Sequence, residues 1–250
     1  MAVRYLILSD IHSNVEALLS VLEAAQGEYE RVICCGDLVG YGPDPNPVTD
    51  WVRNHATAVV RGNHDKACCG ITDAETFNDV ARFAAYWTRD RLTPANLEYL
   101  KNLPQGPLEV DERFAILHGS PRDEDEYVTS SWEAAELLEH LPRQLSFFGH
   151  THLQGGFLRE ADGAVAGIPC PPCSSDGRKV LKIQPQETYF LNPGSVGQPR
   201  DGDSRAAFAI FDTAGTLEYR RVPYPLEMTM TKMRAAGLPE YLAHRLSLGR

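Results

Sequence analysis

The chain has 250 residues, 43% of them apolar and 23% charged, and a net charge of −10 at pH 7. That length can bury a sizeable core, and the acidic balance argues against a broad nucleic-acid-binding face, which needs clustered Lys and Arg. No apolar stretch is long enough to span a membrane. The run from Val3 to Leu8 is short and broken by Arg4, so it reads as a first strand and not as a signal peptide, which implies a cytoplasmic protein.

In chain order, the strand from Val3 to Leu8 ends at Ser9-Asp10-Ile11-His12. Ser13-x-x-Glu16 has the form of a capping box, opening a helix with Val15, Leu18, Leu19 and Leu22 at helical spacing. Arg31 to Cys35 is a second strand, ending in Gly36-Asp37, and a Gly/Pro-rich loop leads to a helix around Val48 to Asn54. Ala56 to Val60 is a third strand, ending in Arg61-Gly62-Asn63-His64-Asp65. From Ile71 to Leu103 the pattern is helical, with Thr93-Pro94 as an N-cap and N1 pair.

Arg113 to Leu117 is a strand ending at His118-Gly119-Ser120-Pro121. Ser130-x-x-Glu133 caps the next helix, and the strand Leu145 to Phe148 delivers Gly149-His150-Thr151-His152, where glycine permits a sharp turn. Beyond Gly155 short strand-like runs alternate with turn-rich segments, among them Ala166 to Gly177. Ala206 to Phe211 and Thr216 to Val222 form a hairpin candidate, and a C-terminal helix runs from Leu226 to Ala236. Strands alternating with helices imply α/β architecture, and the later strands imply a second sheet packed on the first. With no internal repeat and no long linker, residues 1–250 read as a single domain. Cys170-x-x-Cys173 lacks a second such pair and lies in a Pro- and Ser-rich stretch, so it reads as a plain loop.

Asp10, His12, Asp37, Asn63, His64, His118, His150 and His152 all stand at strand ends. A Gly-His-x-His turn alone is weak evidence, because surface histidines are common at such turns. Four other strand ends with matching side chains displace that reading, since loops beyond the carboxyl ends of parallel strands share one crevice. Carboxylates, imidazoles and one amide oxygen suit Mn, Fe or Zn. They are too many for one ion and about enough for two divalent ions, with Asp37 as the natural bridge.

In this order, Asp10-x-His12, Gly36-Asp37, Gly62-Asn63-His64-Asp65, His118 and Gly149-His150-Thr151-His152 resemble the calcineurin-like metallophosphoesterase superfamily. Asn192-Pro193-Gly194-Ser195-Val196-Gly197-Gln198-Pro199-Arg200 further resembles the closing strand of its small prokaryotic branch of YfcE-like phosphodiesterases. The resemblance implies a four-layer αββα sandwich of two mixed sheets flanked by helices. It implies one metal held by Asp10, His12, Asp37 and His152, and a second by Asp37, Asn63, His118 and His150. Between two such ions a water whose pKa falls from 15.7 to about 7 would be stabilised as hydroxide by roughly 12 kcal/mol and attack phosphorus in line. His64, counted in neither set, would protonate the leaving oxygen, with Asp65 orienting it and raising its pKa.

The expected activity is that of a phosphodiesterase or broad phosphatase on small phosphoesters or nucleotides. Ser/Thr protein phosphatases and dinucleoside tetraphosphatases of the superfamily carry Gly-Asp-x-Val-Asp-Arg-Gly and favour Gly-Asn-His-Glu. Here Tyr41 stands at the arginine position and Asp65 at the glutamate, which makes those activities the alternative reading. A non-catalytic scaffold is the alternative of another class, but such a role would tolerate eroded ligands. Arg61, Arg122 and Arg200 are candidate phosphate contacts, each equally suited to a surface ion pair, and Tyr41 either lines the pocket or packs. Residues 71–103 would form a helical insertion placed to cover the active site. No basic strip accompanies the site, so stable nucleic-acid binding is not expected, and nothing in the sequence indicates an oligomeric state.

Overall fold

Along the first strand, β1 (Arg4–Leu8), side chains alternate: Tyr5 and Ile7 face one way, Leu6 and Leu8 the other, and all four are fully buried. A strand buried on both faces must lie inside a stack of layers. The computed structural model, which describes residues 2–171 and 176–250, shows that stack. Cys173 of the Cys170-x-x-Cys173 pair lies outside the described residues.

After β1 come α1 (Val15–Ala24), β2 (Arg31–Cys34), α2 (Pro45–His55), β3 (Ala56–Val59) and α3 (Asn63–Cys69). Next are α4 (Asp79–Arg89), α5 (Pro94–Lys101), β4 (Leu108–Val110), β5 (Phe114–Ile116), α6 (Ser131–Leu137) and β6 (Leu145–Phe147). The chain continues through β7 (Gly155–Arg159), β8 (Val165–Ile168), β9 (Arg178–Lys182) and β10 (Thr188–Asn192). It closes with β11 (Ala206–Asp212), β12 (Thr216–Val222), α7 (Leu226–Ala235) and α8 (Glu240–Leu248).

One sheet has the order β3-β2-β1-β11-β12-β9, the other β4-β5-β6-β10-β7-β8. Both are mixed: β1, β2 and β3 run parallel, as do β5, β6 and β10, while the flanking pairs are antiparallel. Tyr5, Ile7 and Ile33 meet Phe114, Phe147 and Tyr189 between the sheets. On the outer face of the first sheet Leu6 and Leu8 pack with Leu18 and Val21 of α1 and Val48 and Val52 of α2. On the outer face of the second, Phe148 and Phe190 pack with Ala134 and Leu137 of α6. The result is two mixed sheets flanked by helices, helix–sheet–sheet–helix, as the resemblance implied.

β11 and β12 form the expected hairpin, in register from Ala206 opposite Val222 to Asp212 opposite Thr216. Several local expectations are corrected. Helix α1 is capped by Asn14, whose side chain accepts from the Ala17 N–H at 3.1 Å, and Ser13 instead has φ +54° in the preceding turn. Glu16 closes no capping box; it binds Thr229 and Lys232 of α7. The stretch after β3 forms α3, which short polar residues and paired cysteines concealed. Part of the turn-rich segment from Ala166 to Gly177 is β8. Helix α8, bracketed by Pro239 and Gly249, has no Ser, Thr, Asp or Asn cap to announce it, unlike the shorter α5 and α6 with their Thr93 and Ser130 caps.

Helix α4 packs through Ala81, Ala84 and Trp87 against Met230 and Met233 of α7 and Leu242 and Leu246 of α8, with Tyr41 in the same cluster. The Trp87 indole donates to the Ala236 carbonyl at 3.0 Å. The segment before α4 thereby comes to lie beside the crevice at the strand ends, where Phe77 and Asn78 line it with His64 and His150.

Candidate active site

The parallel strands β1, β2, β5 and β6 each end two to five residues before a buried Asp or His of the crevice. Continuing as strands, they would carry alternate side chains to opposite faces. After β1, β2 and β6 the chain turns instead through left-handed backbone: φ is +51° at Asp10, +47° at His12, +54° at Asp37, +66° at His150 and +60° at His152. Each such non-glycine residue costs on the order of 1–2 kcal/mol, so the surroundings must enforce it. The Asp10 and His12 N–H groups donate to the carbonyls of Gly36 and Asp37, and the Gly197 N–H and Ser195 hydroxyl both donate to the Asp10 carbonyl. Asn192 donates to the Gly149 carbonyl and the Thr151 hydroxyl, which clamps the His150–His152 turn. Gly149 itself has no positive φ; it is glycine because a Cβ there would overlap Ser9 Oγ.

Two groups of side chains converge on Asp37: Asp10, His12, Asp37 and His152 in one, Asp37, His118 and His150 in the other. Within each group the potential donor atoms lie within 4.8 Å of one another. Every imidazole is pinned by one nitrogen to a backbone carbonyl. His12 Nδ1 donates to Val39, His118 Nδ1 to Cys35, His150 Nε2 to Asp125 and His152 Nδ1 to Gln198, at 3.0, 2.8, 3.0 and 2.6 Å. The donor nitrogen fixes the tautomer, so the other nitrogen of each ring presents a lone pair to the crevice. His12 Nε2 lies 3.1 Å from His152 Nε2 and 3.6 Å from Asp37 Oδ2; His118 Nε2 lies 3.4 Å from Asp37 Oδ2 and 3.3 Å from Asn63 Oδ1. Atoms bound at about 2.1 Å to a common ion stand about 3.0–3.5 Å apart, so the spacing fits metal ligation.

Asp37 Oδ1 accepts the His64 N–H at 2.9 Å, whereas the buried Oδ2 has no hydrogen-bond partner among the described residues. A buried carboxylate oxygen without a donor is costly unless a cation faces it. Burial raises the Asp10 pKa to about 7, and burial pushes His12 and His152 well below the usual imidazole range. Burial would also raise Asp37, but the facing imidazoles of His118, His64 and His12 hold it well below the carboxylate range. Burial would lower His118, but the facing carboxylate of Asp37, and then Asp10, hold it up at about 10. Metal binds the neutral imidazole and the ionised carboxylate, so an ion entering here would take the place of the protons on His118 and Asp10.

His64 belongs to neither group. Its ring packs edge-on to His12 at 4.9 Å, between Tyr41 at 4.3 Å and Phe77 at 4.7 Å, and its Nδ1 has no partner among the described residues. Burial lowers its pKa to about 4. The expectation that Asp65 orients His64 is corrected. Consecutive helical residues diverge, and the Asp65 carboxylate instead accepts the N–H groups of Leu38, Val39 and Gly62 at 2.9, 3.2 and 3.0 Å. It ties the Asp37 loop to the start of α3.

The remaining candidates separate. Arg61 is bound through two nitrogens to Glu124, at 3.0 Å each, and Arg122 donates to the Glu136 carbonyl, so both guanidiniums already have protein partners, which accords with the ion-pair alternative. Tyr41 does both things asked of it, lining the crevice and packing in the α4 cluster. Arg200 donates to Gln198 at 3.0 Å and to the Tyr41 hydroxyl at 3.5 Å, and its charge bears on Asp10, His12, His64 and His152. Two residues near the site were absent from the sequence reading: Tyr127, its ring tilted 34° against His150 at 3.9 Å between centroids, and Arg245 in the adjoining hollow. Neither sits in a motif, though Tyr127 lies in the loop after His118.

Residues 3–216 match the calcineurin-like phosphoesterase superfamily domain, and the chain belongs to that superfamily. It is similar to a metallophosphoesterase of Sphaerobacter thermophilus of known crystal structure, at 40% identity over 100% of both chains with a TM-score of 0.86. An uncharacterized protein of Methanocaldococcus jannaschii is 31% identical over 98% of this chain and 97% of its own. A hypothetical protein of Pyrococcus horikoshii shares the fold, with a TM-score of 0.77, 18% identity and 99% and 98% of the two chains covered. A superfamily of divalent-metal phosphoesterases agrees with the Asp and His cluster found at the strand ends. No described helix is long and apolar enough to cross a membrane.

Proposed function

We propose that the protein is a dinuclear-metal hydrolase of small phosphoesters or nucleotides, a phosphodiesterase or broad phosphatase, acting in the cytoplasm as one domain spanning residues 1–250. The observation that carries this reading is the shared Asp37: its unpartnered Oδ2 faces His12 from one group and His118 from the other. Asp10, His12, Asp37 and His152 would hold one ion, and Asp37, Asn63, His118 and His150 the second. The nitrogen-rich donor set favours Mn, Fe or Zn over Ca. Bound there, such ions supply Lewis acidity toward phosphoryl oxygens and activation of water. Four buried cysteines without disulfides, Cys34, Cys35, Cys68 and Cys69, are in keeping with a reducing compartment.

The chain's own residues do the rest. Arg200 orients an anionic substrate beside the cluster, held in place by Tyr41, the residue at the position where protein phosphatases of the superfamily carry arginine. His64 protonates the leaving oxygen. Burial keeps its ring neutral in isolation, and a phosphoryl anion seated against it restores the countercharge that protonation needs. Phe77 and Tyr41 keep water from its ring. Residues 71–103, through Phe77 and Asn78, form one wall of the crevice and so bear on which esters enter.

The test is hydrolysis of bis-p-nitrophenyl phosphate by the full chain after chelation and after readdition of Mn. Turnover restored by the metal is expected; none under either condition, with metal bound, would favour a scaffold.

A further inference from the structure

We propose that the guanidinium groups of Arg200 and Arg245 form a subsite for a second, non-reacting phosphate, so that the preferred substrates carry another phosphate near the one that reacts. This deepens the hydrolase reading above and rests on it. The crevice of about 310 Å³ at His64 and His150 opens into a second hollow of about 560 Å³, the two sharing Tyr41, Asn78 and Tyr127 as walls. Arg200 and Arg245 line the outer hollow, one Tyr41 ring away from His64 and His12.

Neither arginine has a side-chain carboxylate partner among the described residues. Arg200 bonds only neutral oxygens, those of Gln198 and Tyr41, and its Nε is buried without a partner. Arg245 Nε donates to an oxygen of the terminal carboxylate at Arg250, the last residue of the chain, while its two Nη atoms, the ones that form a fork, have no bond to any described residue. Burial, and after it the neighbouring Arg200, lower the Arg245 pKa. The acids at hand are already used. Asp79 on the rim pairs with Arg82, and Asp125 in the inner crevice pairs with Lys66. In a chain of net charge −10, two half-buried arginines spared every acidic side chain point to an anion from outside.

The geometry favours phosphate, because two guanidinium forks offer paired donors that match its oxygens. Exposed Tyr127 and Tyr241 border the same hollow and offer faces on which a base or sugar can rest. Arg245 lies in α8, beyond residue 216 where the superfamily match ends. The outer half of the subsite thus comes from beyond the stretch that the superfamily match covers.

The test has two arms, each with wild type, R245Q, R245K and R200Q. In the first, the chelator-treated full chain is titrated calorimetrically with inorganic phosphate, which needs the arginines and no metal. Binding about tenfold or more weaker in R245Q, partly recovered in R245K, is expected, since a charge-assisted bond is lost. Binding indifferent to both arginines would overturn the subsite. In the second, the Mn-loaded enzyme is given ADP against AMP and fructose 1,6-bisphosphate against fructose 6-phosphate, and the ratio of kcat/KM within each pair is read. A ratio above about ten in either pair, collapsing toward one in R245Q through KM, supports the proposal and tells a nucleotide from a sugar source. Ratios near one in wild type, or losses equal for both members of a pair, would overturn it. Absence of all turnover would strike the hydrolase reading instead, leaving the phosphate titration to judge the subsite.

Discussion

His12 and His152 face each other with their Nε2 atoms 3.1 Å apart, while the opposite nitrogen of each ring donates to a backbone carbonyl. Two lone pairs at that separation repel unless a cation lies between them. Burial disfavours protonation of either ring, so a metal ion is the cation that suits both.

Metal should therefore stabilise the fold. At a free concentration of 1,000 Kd, one bound ion contributes about 4 kcal/mol, which for a chain of this size is about 8–16 °C in Tm. Thermal unfolding with excess chelator and then with excess Mn should show a rise of that order. Asp37→Ala should abolish the rise and lower the metal content, measured by elemental analysis, below one ion per chain. A D37A protein still holding two ions would contradict the bridging role.

His64→Ala should keep its metal and lose rate according to the leaving group. General acid catalysis contributes about 10²–10⁴-fold where the departing oxygen needs a proton. Alkyl esters should slow by that factor, and p-nitrophenyl esters, whose leaving group departs as an anion, by less than about tenfold. Equal slowing across a leaving-group series would remove His64 from the proton-donor role.

Gly62 is not a ligand, yet a Cβ at this position would overlap Asp37 Oδ1. Gly62→Ala should accordingly displace Asp37 and lower metal content much as D37A does, with circular dichroism showing an intact fold. Full metal occupancy in G62A would mean that the Asp37 loop moves more freely than its bonds to Asp65 suggest.

Away from the metals, Glu124 joins Arg61 and Lys66 with little exposure. Burial would raise its pKa, but hydrogen bonds from those two cations hold it below the ordinary value. A depressed carboxylate pKa adds stability above the unfolded-state pKa near 4.5, lost as pH falls through the folded value. Glu124→Gln should thus cost about 2 kcal/mol at pH 7, and its urea-unfolding midpoint should converge on wild type as pH drops below 4.5. A cost independent of pH would mean that packing, not charge, holds this corner.

The kind of site was legible in the sequence because ligand chemistry is local: Asp10, His12, Asp37, His118, His150 and His152 follow apolar runs in an order that names the superfamily. The α/β architecture was legible in strands alternating with helices and the four-layer sandwich in the family resemblance; that Leu6 and Leu8 face one layer and Tyr5 and Ile7 the other was visible only in the fold. Only the tertiary structure decided which cations serve the crevice. Arg61, beside the motif, is taken by Glu124, whereas Arg245, nearly a hundred residues past His152, stands next to Arg200. Asp65 likewise adjoins His64 in sequence but points to the Asp37 loop, because neighbouring helical side chains diverge. Proximity in sequence settles a residue's type and its turn; the direction of a charged side chain is settled by whichever partner the packed fold brings within reach.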